Sequence, residues 1–141
     1  MKEKCVFGHI VQGRAEALLI HEDKMPLALL DINPLSEGHC LVIPKRHVSW
    51  WHDLTEEETE SLFKVARLVS GRIMKAFQPD FVCMYARGRR IPHTHIFLIP
   101  TYQGDPLDRF FNALEGFQVA PQALNRIKQP KRLKQTAERL K

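Results

Sequence analysis

The sequence predicts an α+β fold in which about five antiparallel strands carry one long helix on their surface. Two observations support this class. Short apolar segments, bounded by proline, glycine and acidic residues, recur over residues 1–100 of the 141-residue chain. Between the third and fourth of these segments lies a single stretch with the three- and four-residue spacing of an amphipathic helix.

Five segments have the composition of strands, and they span residues 15–21, 26–32, 39–44, 81–86 and 91–99. Each segment is apolar and is followed or preceded by turn-forming residues. The first two flank a polar turn at residues 22–24, which predicts a β-hairpin. The last two flank a basic turn at residues 87–90, which predicts a tight connection between neighbouring strands.

The long helix is expected to begin after Thr55, because Thr55 followed three residues later by Glu58 is the pattern of a capping box. Apolar residues then recur on one face, at Leu62, Ala66, Val69, Ile73 and Phe77. Pro79 cannot continue a helix, so the helix should end just before it. An apolar face of this width predicts packing against the sheet.

Charge is unevenly distributed along the chain. Residues 1–80 carry a net charge of −2 and residues 81–141 carry +7. Beyond the last strand the pattern becomes helical, with a helix start at Asp105-Pro106. We therefore predict a main domain at residues 1–104 and a basic helical extension at residues 105–141 that packs on it or trails it. The positive charge indicates an anionic ligand or partner, and the alternative is a solvated basic tail.

The composition predicts a cytoplasmic protein. The three cysteines, Cys5, Cys40 and Cys83, are odd in number and widely spaced, which favours reduced thiols over a disulfide framework. The apolar runs are too short to cross a bilayer and no secretory signal is evident, so we expect no membrane partner.

His93 and His95 are the most informative residues of the chain. On the predicted fifth strand, alternation places both imidazoles on one face, about 6.5 Å apart. Neutral imidazoles in that arrangement suit a metal ion, or a nucleophile with a polar neighbour. The alternative is two half-exposed histidines on a sheet surface, and the pair alone does not decide between these interpretations.

Separated segments of the chain resemble the histidine-triad (HIT) family of nucleotide-binding proteins. They are Phe7-Gly8-His9-Ile10, Asp31-Ile32-Asn33-Pro34, the run from Gly38 to His47 that ends in Pro-Lys-Arg-His, and the run from His93 to Pro100. The match covers about residues 5–100, in the order and spacing of that family. It implies a HIT-like fold and does not account for the residues that follow.

The resemblance implies a nucleotide hydrolase or nucleotidyl transferase that works through a covalent nucleotidyl-histidine. The nucleophile maps onto His95, with His93 and His47 as its catalytic neighbours. An imidazole is a good nucleophile near neutral pH when its second ring nitrogen is held as a donor. The implied substrates are purine nucleoside phosphoramidates, nucleotidyl conjugates or dinucleoside polyphosphates, attacked at the α-phosphorus.

The same resemblance implies a set of nucleotide-binding positions: Phe7, Leu29 and Ile32 for the base, Asp31 for the ribose, and Gly88, Arg89 and Arg90 in the loop before His93. For Asp31 the alternative is a turn residue that caps Asn33-Pro34. The loop departs from the family, which has a glutamine and a hydroxyl residue where this chain has two arginines. Arginine is a bidentate phosphate ligand, and the alternative for the pair is a solvated basic turn.

Two further departures affect the expected chemistry. The third histidine of the triad is replaced by Phe97, which cannot protonate a leaving group, so the alternative function is a catalytically weak nucleotide-binding regulatory module. Some family members bind zinc through two cysteines and two histidines. Here Cys5, His47 and His93 match that set but Gly8 replaces the second cysteine, and a structural site needs four ligands. We therefore predict no metal and no cofactor.

The expected partners follow from the same comparison. The resemblance implies a homodimer whose two sheets join across the two-fold axis, with the long helix near the interface. The ligand would be a purine nucleotide or a nucleotide conjugate. Binding of nucleic acid by the basic extension is a weaker alternative that we do not expect.

Overall fold

The computed structural model describes residues 5–141, and the chain divides between Gln103 and Gly104 into two compact units. The first unit contains a five-stranded antiparallel sheet with the strand order β1-β2-β3-β5-β4. Its strands are β1 (Leu19–Glu22), β2 (Pro26–Leu30), β3 (Cys40–Pro44), β4 (Phe81–Tyr85) and β5 (Ile96–Thr101). Its helices are α1 (Val6–Val11) and α2 (Glu56–Phe77), with a 3-10 turn at Trp51–Asp53. The predicted α+β class is confirmed.

Both faces of the sheet are covered, which explains why its central strands are apolar throughout. One face packs against α2 through alternate strand residues: Ala28, Cys40, Val42, Ile96 and Leu98. The other face presents the intervening residues, Leu27, Leu29, Leu41 and Ile43, together with Phe7 from α1 and Phe97 from β5. Because side chains alternate along a strand, residues 95 and 97 belong to this second face.

Helix α2 has the start that the sequence predicts. The Thr55 hydroxyl accepts a bond from the Glu58 N–H at 3.2 Å, and the Glu58 carboxylate accepts one from the Thr55 N–H at 2.9 Å. The helix ends at Phe77, and Gln78 takes the left-handed conformation ahead of Pro79. Glu58 also accepts two hydrogen bonds from the guanidinium of Arg46, at 2.5 and 2.8 Å.

The turn before β3 depends on a glycine. Gly38 has a φ of +95°, and a Cβ at this position would lie 2.5 Å from the Phe77 ring at the end of α2. Only glycine combines that backbone conformation with so close an approach. The turn can therefore cross the end of α2 and deliver His39 and Cys40 to the sheet.

The predicted fifth strand, residues 91–99, was placed too early, because β5 begins only at Ile96. The connection from β4 is therefore a long loop and not a tight turn. Thr94 donates both its N–H, at 2.6 Å, and its hydroxyl, at 2.8 Å, to the carbonyl of Val48. These bonds replace ladder bonds to β3, whose last partner pair is Val42 with Ile96.

The second unit is helical, with α3 (Pro106–Val119), α4 (Asn125–Lys128), α5 (Pro130–Leu140) and a 3-10 turn at Gln122–Leu124. The Asp105 carboxylate caps α3 by accepting the Asp108 N–H at 2.8 Å, and Pro106 occupies the first turn. Among the described residues, no helix is both long and apolar enough to span a bilayer.

We predict that Glu58→Gln lowers the free energy of unfolding by about 1–2 kcal/mol, because it weakens a paired carboxylate that also caps α2. Hydrogen bonds from the Arg46 guanidinium hold the pKa of Glu58 at about 2, below its ordinary value of 4.5. The stabilisation from this ionised carboxylate is therefore complete above pH 4.5 and is lost as the pH falls towards 2. Urea denaturation at several pH values measures both effects.

The matched control is Glu57→Gln, since Glu57 lies in the same helical turn but is exposed. It should change the free energy of unfolding by less than about 0.5 kcal/mol. Equal effects of the two substitutions, or a Glu58 effect that persists undiminished at pH 2, would contradict the assignment.

Candidate functional site

The site is built around His95, which lies in the extended segment just before β5. Its Nδ1 donates a hydrogen bond to the backbone carbonyl of His93 at 2.6 Å. Because Nδ1 carries the proton, the other ring nitrogen, Nε2, keeps its lone pair. The ring is buried, with 6% of its surface exposed. A ring with one nitrogen held as a donor is prepared for nucleophilic attack through the other.

His93 has the opposite tautomer, with the proton on Nε2. Its Nε2 donates to the carbonyl of Pro44, at the end of β3, over 2.8 Å. Its Nδ1 therefore accepts, and it faces Cys5 Sγ at 3.4 Å and His47 Nδ1 at 3.2 Å. The residue is fully buried, and burial lowers the pKa of its imidazole. His93 is thus a neutral ring that joins the N-terminus of α1 to the loop after β3.

Cys5, His47 and His93 offer three donor atoms that all lie within 4.8 Å of one another. Zinc in structural sites is bound by four ligands in a tetrahedron. The residue in the fourth position, Gly8, contributes only its backbone N–H, which donates to Cys5 Sγ at 3.4 Å. The three side chains do not complete a closed zinc site, and the absence of a metal stays a prediction.

Asp31 and His39 lie close together beside β3. One carboxylate oxygen of Asp31 accepts the Asn33 N–H at 2.8 Å, which is the turn interaction considered as the alternative for this residue. The other oxygen lies 3.4 Å from Nε2 of His39, longer than an ordinary hydrogen bond. His39 Nδ1 accepts the Leu35 N–H, so Nε2 carries the proton that points towards Asp31. The sequence pattern did not place His39 among the site residues.

Burial of His39 lowers the pKa of its imidazole, and the nearby charge of Asp31 opposes that shift. The ring is 2% exposed and its Nε2 is buried. His39 is therefore a fixed neutral group behind the Asp31 carboxylate. The turn interaction uses only one oxygen of Asp31, so it leaves the second oxygen available to a ligand.

An aromatic surface separates His95 from His39. The Phe97 ring centroid lies 4.9 Å from that of His95 and 5.5 Å from that of His39. Tyr85, the partner of Phe97 in the β4–β5 register, stacks on it at 4.7 Å. Burial raises the pKa of the Tyr85 hydroxyl. Tyr85 was missed by sequence reasoning, since its neighbourhood depends on strand register.

The positions that the resemblance assigns to the base are divided between the core and the surface. Phe7 and Leu29 are only 5% and 3% exposed, and the Phe7 ring lies 5.1 Å from that of His95. Ile32, in contrast, is 86% exposed. It borders a cavity of about 630 Å³, whose lining also includes Ile10, Ala17 and Leu19. This volume lies within the range of small-molecule sites in proteins.

The hollow directly beside the His95 ring is much smaller, at about 20 Å³. Arg87, Gly88 and two tryptophans, Trp50 and Trp51, border it. A Cβ on Gly88, which has a φ of +69°, would lie 3.2 Å from the Trp50 ring. The loop therefore rests against Trp50 and leaves space for one water. A phosphate reaching His95 from this side requires the loop to move.

The arginines of the loop are divided between the hollow and the exposed surface. Arg89 and Arg90 are exposed, and the basic residue that borders the hollow is Arg87, which was absent from the predicted set. Trp50 and Trp51, which border the same hollow, are 42% and 52% exposed. Their position next to His95 carried no sequence signal, because it results from the fold of the loop after β3.

We predict that Gly8→Cys creates a zinc site by adding a fourth ligand to Cys5, His47 and His93. Zinc should then copurify with the variant and raise its Tm by at least about 5 °C relative to the chelated form. Elemental analysis and thermal unfolding measure these outcomes. Gly8→Ala is the control for the helix change alone and should bind no zinc. A wild-type chain that retains one zinc after the same purification would contradict the prediction of no metal.

Comparisons with known proteins show which family the chain belongs to. The family model for the HIT domain matches residues 12–104 of the chain. A protein of Arabidopsis thaliana described as adenylylsulfatase HINT3 is 36% identical over 112 residues, which are 76% of this chain and 57% of that protein. This chain thus spans little more than half the length of that relative. The adenosine 5′-monophosphoramidase hnt1 of Schizosaccharomyces pombe is 33% identical over 101 residues, covering 68% of this chain and 73% of its own length.

Solved structures show the same relationship. The crystal structure of a HIT family protein from Bacillus anthracis superimposes with a TM-score of 0.79 and 26% identity. The alignment covers 98% of this chain and 95% of the other. The family model and the relatives together show that the chain belongs to the HIT family, as its sequence motifs implied.

Proposed function

We propose that this protein is a nucleotide hydrolase or nucleotidyl transferase that acts at the α-phosphorus of its substrate. The substrate would be a nucleoside phosphoramidate, a nucleotidyl conjugate or a dinucleoside polyphosphate. The observation that carries the proposal is the bond from His95 Nδ1 to the His93 carbonyl, which leaves Nε2 as a nucleophile. The relatives named as an adenylylsulfatase and a monophosphoramidase support the same class of reaction.

The chemical step would begin with attack of the His95 Nε2 lone pair on the α-phosphorus. The bond to the leaving group breaks, and a nucleotidyl-His95 intermediate forms. Water then releases the nucleoside monophosphate in the hydrolase, or another acceptor takes the nucleotidyl group in the transferase. His93 supports the reaction by presenting its carbonyl to His95, and His47 holds the far side of the His93 ring.

Nucleotide binding would use the surface on either side of Asp31. Its free carboxylate oxygen can accept hydrogen bonds from the ribose hydroxyls, with His39 fixed behind it. The neighbouring residue, Ile32, borders the cavity of about 630 Å³ that suits a base. Phe7 supports the site from below by packing against the His93 and His95 rings. Leu29 is buried in the same core.

Charge on the transferred phosphoryl group would be balanced by the loop between β4 and β5. Arg87 borders the hollow beside His95, and Arg89 and Arg90 are exposed in the same loop. Guanidinium groups bind phosphate oxygens through two parallel hydrogen bonds. Gly88 gives this loop a left-handed backbone conformation soon after β4. The loop would act by moving away from Trp50 and closing on the phosphates.

We also propose that the active form is a homodimer joined through β4. This strand is at the edge of the sheet, and two of its apolar residues, Phe81 and Met84, are 56% and 51% exposed. Between them and exposed apolar residues of α2, such as Phe63 and Met74, lies a groove of about 460 Å³. An exposed apolar edge strand tends to pair with another strand. Pairing two β4 strands would join both sheets into one.

We predict that His95→Ala lowers kcat/KM for AMP release by at least about 10³-fold, because the nucleophile is removed. The matched control is His21→Ala on β1, at the other end of the sheet from β4, which should leave kcat/KM within a factor of about 3. Circular dichroism verifies that both variants are folded. Unchanged turnover in the His95 variant would reject the mechanism.

Trapping distinguishes this enzyme from the alternative that Phe97 suggests, a binding module without useful catalysis. Wild-type protein incubated with an adenylyl donor and quenched at alkaline pH should carry one nucleotidyl group on His95 by peptide mass spectrometry. The His95→Ala variant should carry none. Tight AMP binding with no adduct and no turnover in the wild type would favour the module instead.

For the dimer, we predict that Met84→Lys shifts the protein to a monomer, because a charge on the edge strand opposes strand pairing. Leu35→Lys is the control, since Leu35 is equally exposed, at 50%, but lies in the turn before β3. Light scattering after size exclusion measures the mass of each. A wild-type monomer, or dimers in both variants, would contradict this interface.

A further inference from the structure

Group transfer to His95 needs a way to stabilise the departing group, and proton donation is the usual one. The side chain that follows His95 on the same face of the sheet is Phe97, whose ring centroid lies 4.9 Å from that of His95. A phenyl ring has no proton to donate. Other groups near His95 must therefore be considered as acids.

The N–H groups of His93 and His39 point away from the reaction centre, and His47 faces the His93 ring through its Nδ1 at 3.2 Å. His93 donates through Nε2 to the Pro44 carbonyl, and its Nδ1 faces Cys5 and His47 and not the reaction centre. His39 directs its Nε2 towards Asp31. The rings of His93 and His39 orient other groups and have no free N–H aimed at a leaving group beside His95.

The remaining polar groups around His95 are also poor acids. The Thr94 hydroxyl donates to the Val48 carbonyl. Ser49 and Arg87 border the hollow beside His95, but a serine hydroxyl and a guanidinium keep their protons at neutral pH. Burial raises the pKa of Tyr85, which makes this hydroxyl a weaker acid than a free tyrosine. Within the described residues, the surroundings of His95 thus supply positive charge and no effective general acid.

We propose that this site selects nucleotidyl anhydrides whose leaving group departs as a weakly basic oxyanion, such as sulfate, phosphate or a carboxylate, over phosphoramidates with an amine leaving group. The inference rests on the function proposed above and narrows its substrate class. The reason is that an oxyanion of low basicity can leave unprotonated, whereas an amine has to be protonated before or during P–N cleavage. Arg87 and its loop suit the same anions by charge.

The transfer step needs no proton from an acid of the protein. His95 Nε2 donates its lone pair to the α-phosphorus while Nδ1–H stays bonded to the His93 carbonyl. The bond between phosphorus and the bridging oxygen breaks, and its electron pair leaves on the oxyanion. In the hydrolase, water then attacks the phosphorus of nucleotidyl-His95, restores the neutral imidazole, and releases the nucleoside monophosphate and one proton to solvent.

The test is a leaving-group series. Aryl esters of AMP with phenols whose pKa runs from about 4 to 10, together with adenosine 5′-phosphosulfate and adenosine 5′-phosphoramidate, are assayed for AMP release. Without an acid, kcat/KM should fall steeply as the pKa of the phenol rises, by roughly tenfold per pKa unit. Phosphosulfate should be cleaved at least about 10²-fold faster than phosphoramidate.

Substitutions at residue 97 test whether the missing acid causes the steep dependence on leaving-group pKa. Phe97→His supplies an imidazole donor and should raise kcat/KM by about 10²-fold or more for the poorest leaving groups, with less than about threefold change for the best. Phe97→Leu removes the ring without adding a donor and should keep the steep dependence. Tyr85→Phe should also keep it. AMP affinity, measured by calorimetry, verifies that each variant retains a folded site.

The outcomes separate this inference from the function on which it rests. A shallow dependence in the wild type, or phosphoramidate cleavage as fast as phosphosulfate cleavage, would overturn the leaving-group inference and leave the nucleotide-transfer function intact. A Tyr85→Phe variant with a steeper dependence than the wild type would overturn it too, by identifying Tyr85 as the acid. No AMP release from any member of the series would reject the proposed function and this inference together.

Discussion

The carbonyl group of His93 is the part of the site on which the rest depends. It accepts the Nδ1–H of His95 at 2.6 Å and so decides which nitrogen of that ring keeps a lone pair. The carbonyl is itself held in place because the His93 ring donates to Pro44, while the next residue, Thr94, donates twice to Val48. Backbone carbonyls at the end of β3 and just beyond it therefore hold the segment that orients both imidazoles.

This arrangement links the stability of the fold to the chemistry. The segment that provides the Pro44 and Val48 carbonyls also contains Arg46, whose guanidinium binds Glu58 at the start of α2. The capping box of α2 uses the same carboxylate. The helix start, the loop after β3 and the segment before β5 are thus joined by consecutive hydrogen bonds. Neutral, buried His93 fits this scheme, because a charged ring there would be poorly solvated.

In the described part of the chain, the site combines positively charged side chains with an aromatic surface that has no acidic proton donor beside His95. Arginines lie in the loop beside His95, whereas the face that follows His95 along β5 is occupied by stacked aromatic rings, Phe97 and Tyr85. Positive charge without an adjacent acid suits the binding and departure of anions. The basic α5 is also exposed, and the expectation that nucleic acid is not bound stays a prediction.

Sequence patterns predicted the helices and strands that are determined by residues close together in the sequence. The capping box placed the start of α2 correctly, and apolar runs located all five strands, because both signals depend on neighbouring residues only. The predicted start of β5 was wrong because Thr94 donates its hydrogen bonds to the carbonyl of Val48, which is distant in the sequence. Trp50, Tyr85 and His39 were missed for the same reason, since their places near the site result from register and loop packing.

By itself, the sequence determined the fold class, the family motifs and the chemical types available: an imidazole at position 95, a phenyl ring at position 97 and a glycine where a second cysteine would complete a zinc set. Only the tertiary structure decided the tautomer of His95, the neighbours of Phe97 and the position of the Gly88 loop against Trp50. The physical reason is that a residue type is encoded locally, whereas the partner of each N–H or ring is set by groups that only folding brings together.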